Sequence, residues 1–168
     1  MACGIGGGSG VGTKSGCGLG SDRTSGWLVR GTLYGGCLSI LVASLGTRYE
    51  IRTEETILFL EDVAAKPYQI DRMLMQLKLA GKFKGARGII FGQMRDCLQT
   101  AKQGYKLEDV VLRIVGDLGI PVAYGVRSGH VTSGNRTLPI GIRTGLAVRD
   151  GQVKLKILEA AVTTTVTW

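Results

Sequence analysis

Apolar residues recur along the chain in two patterns, one typical of buried strands and one typical of amphipathic helices. Short runs rich in β-branched and aromatic residues predict strands at 27–35, 56–62, 86–92 and 120–125. Apolar residues at helical spacing predict helices at 37–45, 68–80 and 106–119. Glycine ends the first two helices, at Gly46 and Gly81, as is common at helix C-termini.

The apolar faces of the longer helices identify candidate core residues. They are Ile70, Met73, Leu74 and Leu77 in the second helix, and Leu107, Val110, Val111, Ile114 and Leu118 in the third. We interpret the methionines as core residues rather than ligands, because Met fills irregular gaps in apolar interiors.

The last part of the chain predicts a hairpin. After a loop at 126–137, two strands flank Asp150-Gly151, a dipeptide that suits a type I′ turn. The complete order of elements predicts an α/β fold: a layered domain with a partly parallel mixed sheet, flanked by helices and followed by a C-terminal β-hairpin.

Glycine is concentrated at the N-terminus, where residues 1–26 hold ten of the chain's 27 glycines. Apolar residues are sparse there, and we predict a glycine-rich disordered tail over 1–26. Residues 27–168, about 140 residues, are enough for one domain with its own core.

A near-match to a phosphate-binding loop lies in the tail. Gly7 and Gly12 have the required spacing, but Thr13 stands between Gly12 and Lys14. Such a loop also needs a core strand before it and a helix after it, and the sequence offers neither. We therefore interpret the match as a chance similarity and not as a nucleotide-binding site.

The net charge of +8 raises the question of an anionic partner. Basic residues gather around the end of the second helix: Lys78, Lys82, Lys84 and Arg87. Cations are stabilised at helix C-termini, and only Phe83 and Tyr105 nearby could stack on bases. We therefore interpret the cluster as a solvated helix end and expect no nucleic-acid partner.

Cysteine spacing and hydropathy restrict the class further. Cys3, Cys17, Cys37 and Cys97 form no C-x-x-C pair, so we expect neither a zinc site nor a disulfide framework. The apolar run at 37–45 is too short to span a bilayer, and the N-terminus has no basic segment followed by an apolar one. We expect a soluble, cytoplasmic protein with no membrane partner.

Candidate chemistry lies after two of the predicted strands, where α/β proteins commonly place reactive groups. Glu61 and Asp62 end the strand at 56–62, and His130, the only histidine, follows the strand at 120–125. A histidine beside a carboxylate can act as a general base, although this pair has no nucleophile. The alternative is a solvent-facing strand end and an ordinary polar loop residue, and the long separation of the two residues in sequence favours this alternative when spacing alone is considered.

Several longer motifs then match a known family in the same order. The stretches "YGGCLSILVASLGTRYE", "ILFLEDVAAKPYQIDRMLMQLKLAGKFKGARGIIFGQMRDC" and "DLGIPVAYGVRSGHVTSGNRTLPIGIR" resemble the C-terminal half of serine LD-carboxypeptidases. That family comprises the murein tetrapeptide carboxypeptidases and the microcin C immunity peptidases. The resemblance covers residues 34 to about 158.

The resemblance implies a Ser-His-Glu triad that releases terminal D-alanine from murein tetrapeptide during peptidoglycan recycling. Glu61 of "LED" and His130 of "SGH" match the family's acid and base, and no cofactor is implied. We expect Gly129 to allow close backbone approach and Asp62 to be a structural hydrogen-bond acceptor. Asn135 braces the loop or serves as a plain turn residue.

The chain also departs from the family pattern. The family's nucleophilic serine belongs to an N-terminal domain that has no counterpart here. The stretch "GLGSDRT" around Ser21 partly matches the family's nucleophile turn, but it has Leu19 where glycine is expected. Family members also commonly carry an acid shortly after the glutamate, where this chain has Ala64, Ala65 and Lys66.

These departures set the expectations for activity and partners. We expect a truncated peptidase domain that is inactive alone, takes murein peptide as substrate, and pairs with a separate N-terminal half or self-associates. Two alternatives stay open. One is a non-catalytic module that binds murein peptide or a partner, and the other is a nucleotide or nucleic-acid binder acting through the tail and the basic cluster.

Overall fold

The structure is a computed structural model that describes residues 12–15, 27–97, 105–149 and 152–162. Seven strands are assigned there: β1 Gly12–Ser15, β2 Trp27–Cys37, β3 Thr56–Val63, β4 Gly88–Arg95, β5 Pro121–Val126, β6 Arg143–Arg149 and β7 Gln152–Ile157. Three helices connect the central strands: α1 Leu38–Ala43, α2 Pro67–Leu79 and α3 Leu107–Val115.

The strands form one mixed sheet in the order β1-β5-β4-β3-β2-β6-β7. Strands β2 to β5 are parallel, and each helix carries the chain from one of them to the next. β1 pairs antiparallel with β5, while β6 and β7 continue antiparallel from β2. The predicted α/β fold with a partly parallel mixed sheet is confirmed, and the two strands of the predicted hairpin pair; Asp150-Gly151 lies outside the described residues.

The main core lies between the sheet and its helices. Leu58, Leu60, Ile89 and Phe91 of the sheet pack against Leu38, Ile70, Leu74, Leu77, Val111 and Ile114 of the helices, all of them buried. The helical spacing of apolar residues therefore identified the buried faces of α2 and α3 correctly. Met73 packs against this core as a partly buried residue.

A second apolar cluster fills the opposite face of the sheet. It consists of Leu33, Ile57, Phe59, Ile90, Ala123, Leu146 and Val148. The sheet curls around this cluster, as shown by the close approach of two strands that are not neighbours: a Cβ atom on Gly88 of β4 would stand 3.0 Å from Cδ2 of Leu146 on β6. The curl brings strands that are not neighbours in the sheet into contact and buries the cluster without helices.

Several element boundaries differ from the prediction, including those of β2, α1, β4 and α3. β2 continues through Gly35 and Gly36 to Cys37. Residue 35 must be glycine in this strand, because a Cβ atom there would stand 1.9 Å from the carbonyl oxygen of Phe59. α1 ends at Ala43, and Ser44 closes it with an Oγ bond of 2.7 Å to the carbonyl of Leu41. The predicted helix at 37–45 was therefore too long at both ends.

Part of the predicted disordered tail is a strand. Gly12–Ser15 pairs with β5, whose outer edge would otherwise present unpaired backbone groups. The prediction of disorder is wrong for these four residues. The remainder of 1–26, including Gly7, Ser21, Cys3 and Cys17, lies outside the described residues, and the division into a tail and a domain over 27–168 stays a prediction.

The basic cluster is largely paired with carboxylates. Lys78 binds Asp117 and Lys82 binds Glu50, each at 2.8 Å, and Arg87 binds Glu55 at 2.6 Å. Phe83 is buried in the main core, so its ring is not available for stacking on a base. The cluster thus ties surface elements together.

Candidate active site

Glu61 lies near the carboxyl end of β3, on the face that carries the second apolar cluster. Its register partner on β2 is Cys37. On β4 the register shifts between the partners of Leu60 and Asp62, so that Gly92 and Gln93 both lie opposite Glu61. Bulges of this kind bend a strand and redirect side chains, and they are common beside active sites. The side chain of Glu61 is only 6% exposed.

His130 lies in the loop after β5 and contacts Glu61 through two nitrogen atoms. Its backbone N–H donates to Oε2 of Glu61 at 3.0 Å, and its ring Nδ1 lies 2.7 Å from the same oxygen. The His130 side chain is 48% exposed. The two residues, separated by 69 positions in sequence, therefore form a pair with a buried acid and an accessible imidazole.

The loop around His130 is fixed by short backbone hydrogen bonds. Ser128 N–H donates to the carbonyl of Val126 at 2.7 Å, and Arg136 N–H donates to the carbonyl of Arg127 at 2.7 Å. Asn135 Nδ2 reaches the carbonyl of Gly129 only at 3.5 Å, which is long for a hydrogen bond. The bracing role considered for Asn135 is therefore weak, and backbone bonds hold the loop.

Two glycines allow Glu61 to sit beside the loop. A Cβ atom on Gly129 would stand 2.4 Å from Oε2 of Glu61, and one on Gly92 would stand 2.9 Å from Cβ of Glu61. Gly129 also has a φ of +99°, a conformation that L-residues rarely adopt. The close approach expected at Gly129 is confirmed.

Asp62 has a structural task beside the pair. Its Oδ2 accepts a hydrogen bond from Ser39 N–H at 2.9 Å, and its Oδ1 accepts one from Val63 N–H at 2.8 Å. Because Ser39 lies in the first turn of α1, Asp62 fixes the start of that helix against β3. Its predicted role as a structural acceptor is confirmed.

The residues after β3 contribute no acid. Ala64 adopts a φ of +57°, and its N–H donates to the carbonyl of Arg95 at 2.8 Å. Ala65 packs against the main core, and Lys66 precedes α2 with its N–H bound to Oε1 of Gln69 at 2.7 Å. The departure from the family pattern is thus accommodated by a tight backbone turn.

Sequence reasoning missed two features of this site. Cys37, a partly exposed thiol, is the β2 residue aligned with Glu61, and its Sγ lies 3.2 Å from Oγ of Ser39. The bulge at Gly92 was also missed, although an isolated glycine inside a strand is a known signal for one. Recognition of β2 as a strand that extends through two glycines would have placed Cys37 beside the acid.

Burial acts on two groups beneath the site. It raises the pKa of the Cys97 thiol and raises the pKa of the partly buried Tyr124 well above its ordinary value. Both groups face the main core and not the accessible side of His130. Within the described ranges no three His, Cys, Asp or Glu side chains are grouped to hold a metal ion.

The accessible part of the pair is the ring of His130. An imidazole held through Nδ1 can exchange a proton at Nε2, so the pair can serve as a general base and then as a general acid. Among the residues with described side chains, no hydroxyl or thiol is hydrogen-bonded to the His130 ring.

No helix in the described part of the chain is long and apolar enough to cross a membrane.

The fold agrees with that of known proteins. Residues 30–146 match the LD-carboxypeptidase C-terminal domain family. The chain belongs to this family, as its motifs predicted.

Individual relatives support this assignment over most of the chain. The probable murein peptide carboxypeptidase of Bacillus subtilis is 38% identical over 133 residues, which are 79% of this chain and 40% of that protein. The muramoyltetrapeptide carboxypeptidase of Oxalobacter formigenes has 33% identity and a TM-score of 0.69, with 80% of this chain and 47% of that chain covered. An MccF-like protein from Bacillus anthracis has 25% identity and a TM-score of 0.68, with 80% and 41% covered. The chain thus spans less than half the length of these relatives.

Proposed function

We propose that this chain is the C-terminal half of a serine LD-carboxypeptidase and contributes the acid and base of a Ser-His-Glu triad. The observation that carries the proposal is the contact of 2.7 Å between Nδ1 of His130 and Oε2 of Glu61, with the imidazole half-exposed and the carboxylate buried. This is the arrangement in which a carboxylate orients an imidazole for proton transfer at its other nitrogen.

The proposed steps follow from the tautomer that the contact favours. Oε2 already accepts the backbone N–H of His130, so an ionised Glu61 accepts at Nδ1 as well, and Nε2 is free to accept a proton. His130 takes the hydroxyl proton of a serine as that oxygen attacks the peptide carbonyl. The same proton then passes to the departing amine of D-alanine, and a water molecule hydrolyses the acyl-enzyme with His130 again as base.

The serine in this proposal comes from an N-terminal peptidase domain. Relatives are more than twice as long as the matched region, and the family resemblance implies that the serine belongs to their N-terminal part. A chain that supplies only the acid and base should not hydrolyse tetrapeptide by itself. The cytoplasmic location and the role in peptidoglycan recycling expected from the sequence remain part of this proposal.

Exposed apolar side chains support a docking partner at the edge that carries the pair. Ile40, 67% exposed, lies in the first turn of α1, directly after the carboxyl end of β2. Ile140, 45% exposed, precedes Gly141, whose N–H binds the carbonyl of Leu33 on β2. We propose that a peptidase half covers these residues, and that self-association of the chain is the alternative way to bury them.

D-alanine release from murein tetrapeptide tests the proposal. The chain alone should release none, and the chain co-expressed with the N-terminal half of the Bacillus subtilis relative should release it. His130→Ala should abolish the restored activity, while Arg72→Gln, on an exposed face of α2, should leave it unchanged. Release by the chain alone, or restored release that survives His130→Ala, would contradict the proposed division of the triad.

A further inference from the structure

The segment that carries His130 has a one-sided charge. From Leu118 to Arg149 the chain contains four arginines and no Asp or Glu. Two of the arginines, Arg127 and Arg136, lie at the two ends of the loop that holds His130. A positive loop beside a base is a natural receptor for an anionic group of a ligand.

The backbone brings these two arginines together. Arg136 N–H donates to the carbonyl of Arg127 at 2.7 Å, which closes the loop at its base and places both residues side by side. Both residues are exposed. Nη1 of Arg127 lies 3.6 Å from the position that a Cβ atom on Gly134 would take, so its guanidinium lies along the surface of the same loop.

Neither guanidinium is already neutralised in the part of the chain that the structure describes. The ion pairs found there involve other cations, and the acid beside this loop, Glu61, binds His130. Lys78, Lys82 and Arg87 differ in this respect, because each has a carboxylate partner. Among the described residues, no carboxylate therefore competes with an anion for Arg127 or Arg136.

A carboxypeptidase needs such a receptor close to its base. Only the amide nitrogen and one Cα atom separate the scissile carbonyl from the terminal carboxylate of the substrate, so the carboxylate must lie at the rim of the catalytic pair. Guanidinium groups bind carboxylates through two parallel hydrogen bonds, which lysine cannot reproduce. We propose that Arg127 and Arg136 bind the terminal carboxylate of the peptide and thereby restrict the site to free C-termini; this rests on the proposed function.

An NMR titration of the full chain tests the assignment without catalysis. The probes are murein tetrapeptide with a free C-terminal carboxylate and the same peptide with a C-terminal amide. The acid should bind at least about tenfold more tightly than the amide, as expected for a charge-assisted bidentate contact. The double variant Arg127→Gln/Arg136→Gln should bind both peptides equally, while Arg72→Gln should retain the preference.

The outcomes separate this inference from the proposed function. Equal binding of acid and amide by the unmodified chain, no detectable binding of the acid at millimolar concentration, or a preference that survives the double variant would each overturn it. Amide spectra that match those of the unmodified chain exclude a folding defect. In the D-alanine assay with the N-terminal peptidase half, the double variant should raise KM. An unchanged KM overturns the arginine assignment alone. No release by the unmodified chain together with the peptidase half overturns the proposed function.

Discussion

Gly129 and Glu61 are in such close contact that no Cβ atom fits between them. A Cβ on Gly129 would stand 2.4 Å from Oε2 and 2.6 Å from Cγ of Glu61. Oε2 of Glu61 also lies within hydrogen-bonding distance of the backbone nitrogen and the ring Nδ1 of His130, so the loop backbone and the acid form one packed unit. The position of the base is therefore set by backbone geometry as well as by its own hydrogen bonds.

Gly129→Ala should destabilise the chain by about 2–4 kcal/mol, because it combines a strained φ with a collision at Glu61. Gly141→Ala is a matched control: its φ is +91°, but no atom lies within 4 Å of its Cβ position. The control should cost about 1–2 kcal/mol, from backbone strain alone. Urea unfolding measures both, and equal losses would show that contact with Glu61 is unimportant.

Asp62→Ala should leave two backbone N–H groups, those of Ser39 and Val63, without their acceptor. We expect a loss of about 2–4 kcal/mol, since unpaired buried donors carry the full cost of desolvation. Asp62→Asn keeps one carbonyl oxygen and should lose about half as much. A loss below about 0.5 kcal/mol for alanine would show that Asp62 does not anchor α1.

Cys97 should make the chain less stable at alkaline pH. Burial raises its pKa, so the folded chain keeps the thiol proton where the unfolded chain loses it. The contribution of the protonated Cys97 thiol to the free energy of unfolding is fully present below the ordinary thiol pKa of about 8.5. It is lost as the pH rises through the raised pKa that the thiol has in the folded chain. Between about pH 8.5 and 10, the chain should lose more stability than Cys97→Ala does. Equal pH dependence in urea unfolding would contradict the assigned burial.

Thiol labelling should distinguish the two described cysteines. Cys37 is partly exposed at the end of β2, whereas Cys97 is buried. Alkylation at pH 8, followed residue by residue with mass spectrometry, should modify Cys37 much faster, because a buried neutral thiol is both inaccessible and a poor nucleophile. Faster modification of Cys97 would show that the core around it opens readily.

The regular elements were predictable because their side chains follow simple periods. Apolar spacing identified Ile70, Leu74 and Leu77 as one buried face of α2, and β-branched runs identified the central strands. Glycine was harder to interpret. The sequence alone does not show that Gly35 continues β2 under the carbonyl of Phe59, or that the edge of β5 takes Gly12–Ser15 as a partner.

The sequence named the two residues of the pair but not the geometry of their contact. Glu61 lies at the end of β3 and His130 follows β5, two strands that flank β4 in the sheet, and it was the family motifs that selected these two residues. Their contact at 2.7 Å lies beside shifts of register on both sides of β4, at Gly92. Such shifts arise from tertiary packing and leave only a weak signal in one sequence.

Labelling with a serine-reactive fluorophosphonate tests the central claim, that His130 activates a serine supplied by the peptidase half. The N-terminal half of the Bacillus subtilis relative, co-expressed with this chain, should be labelled on its serine. Labelling should disappear with His130→Ala and fall strongly with Glu61→Gln, which cannot stabilise the charged imidazole. Label on this chain itself, or label on the other half that does not depend on His130, would contradict the account.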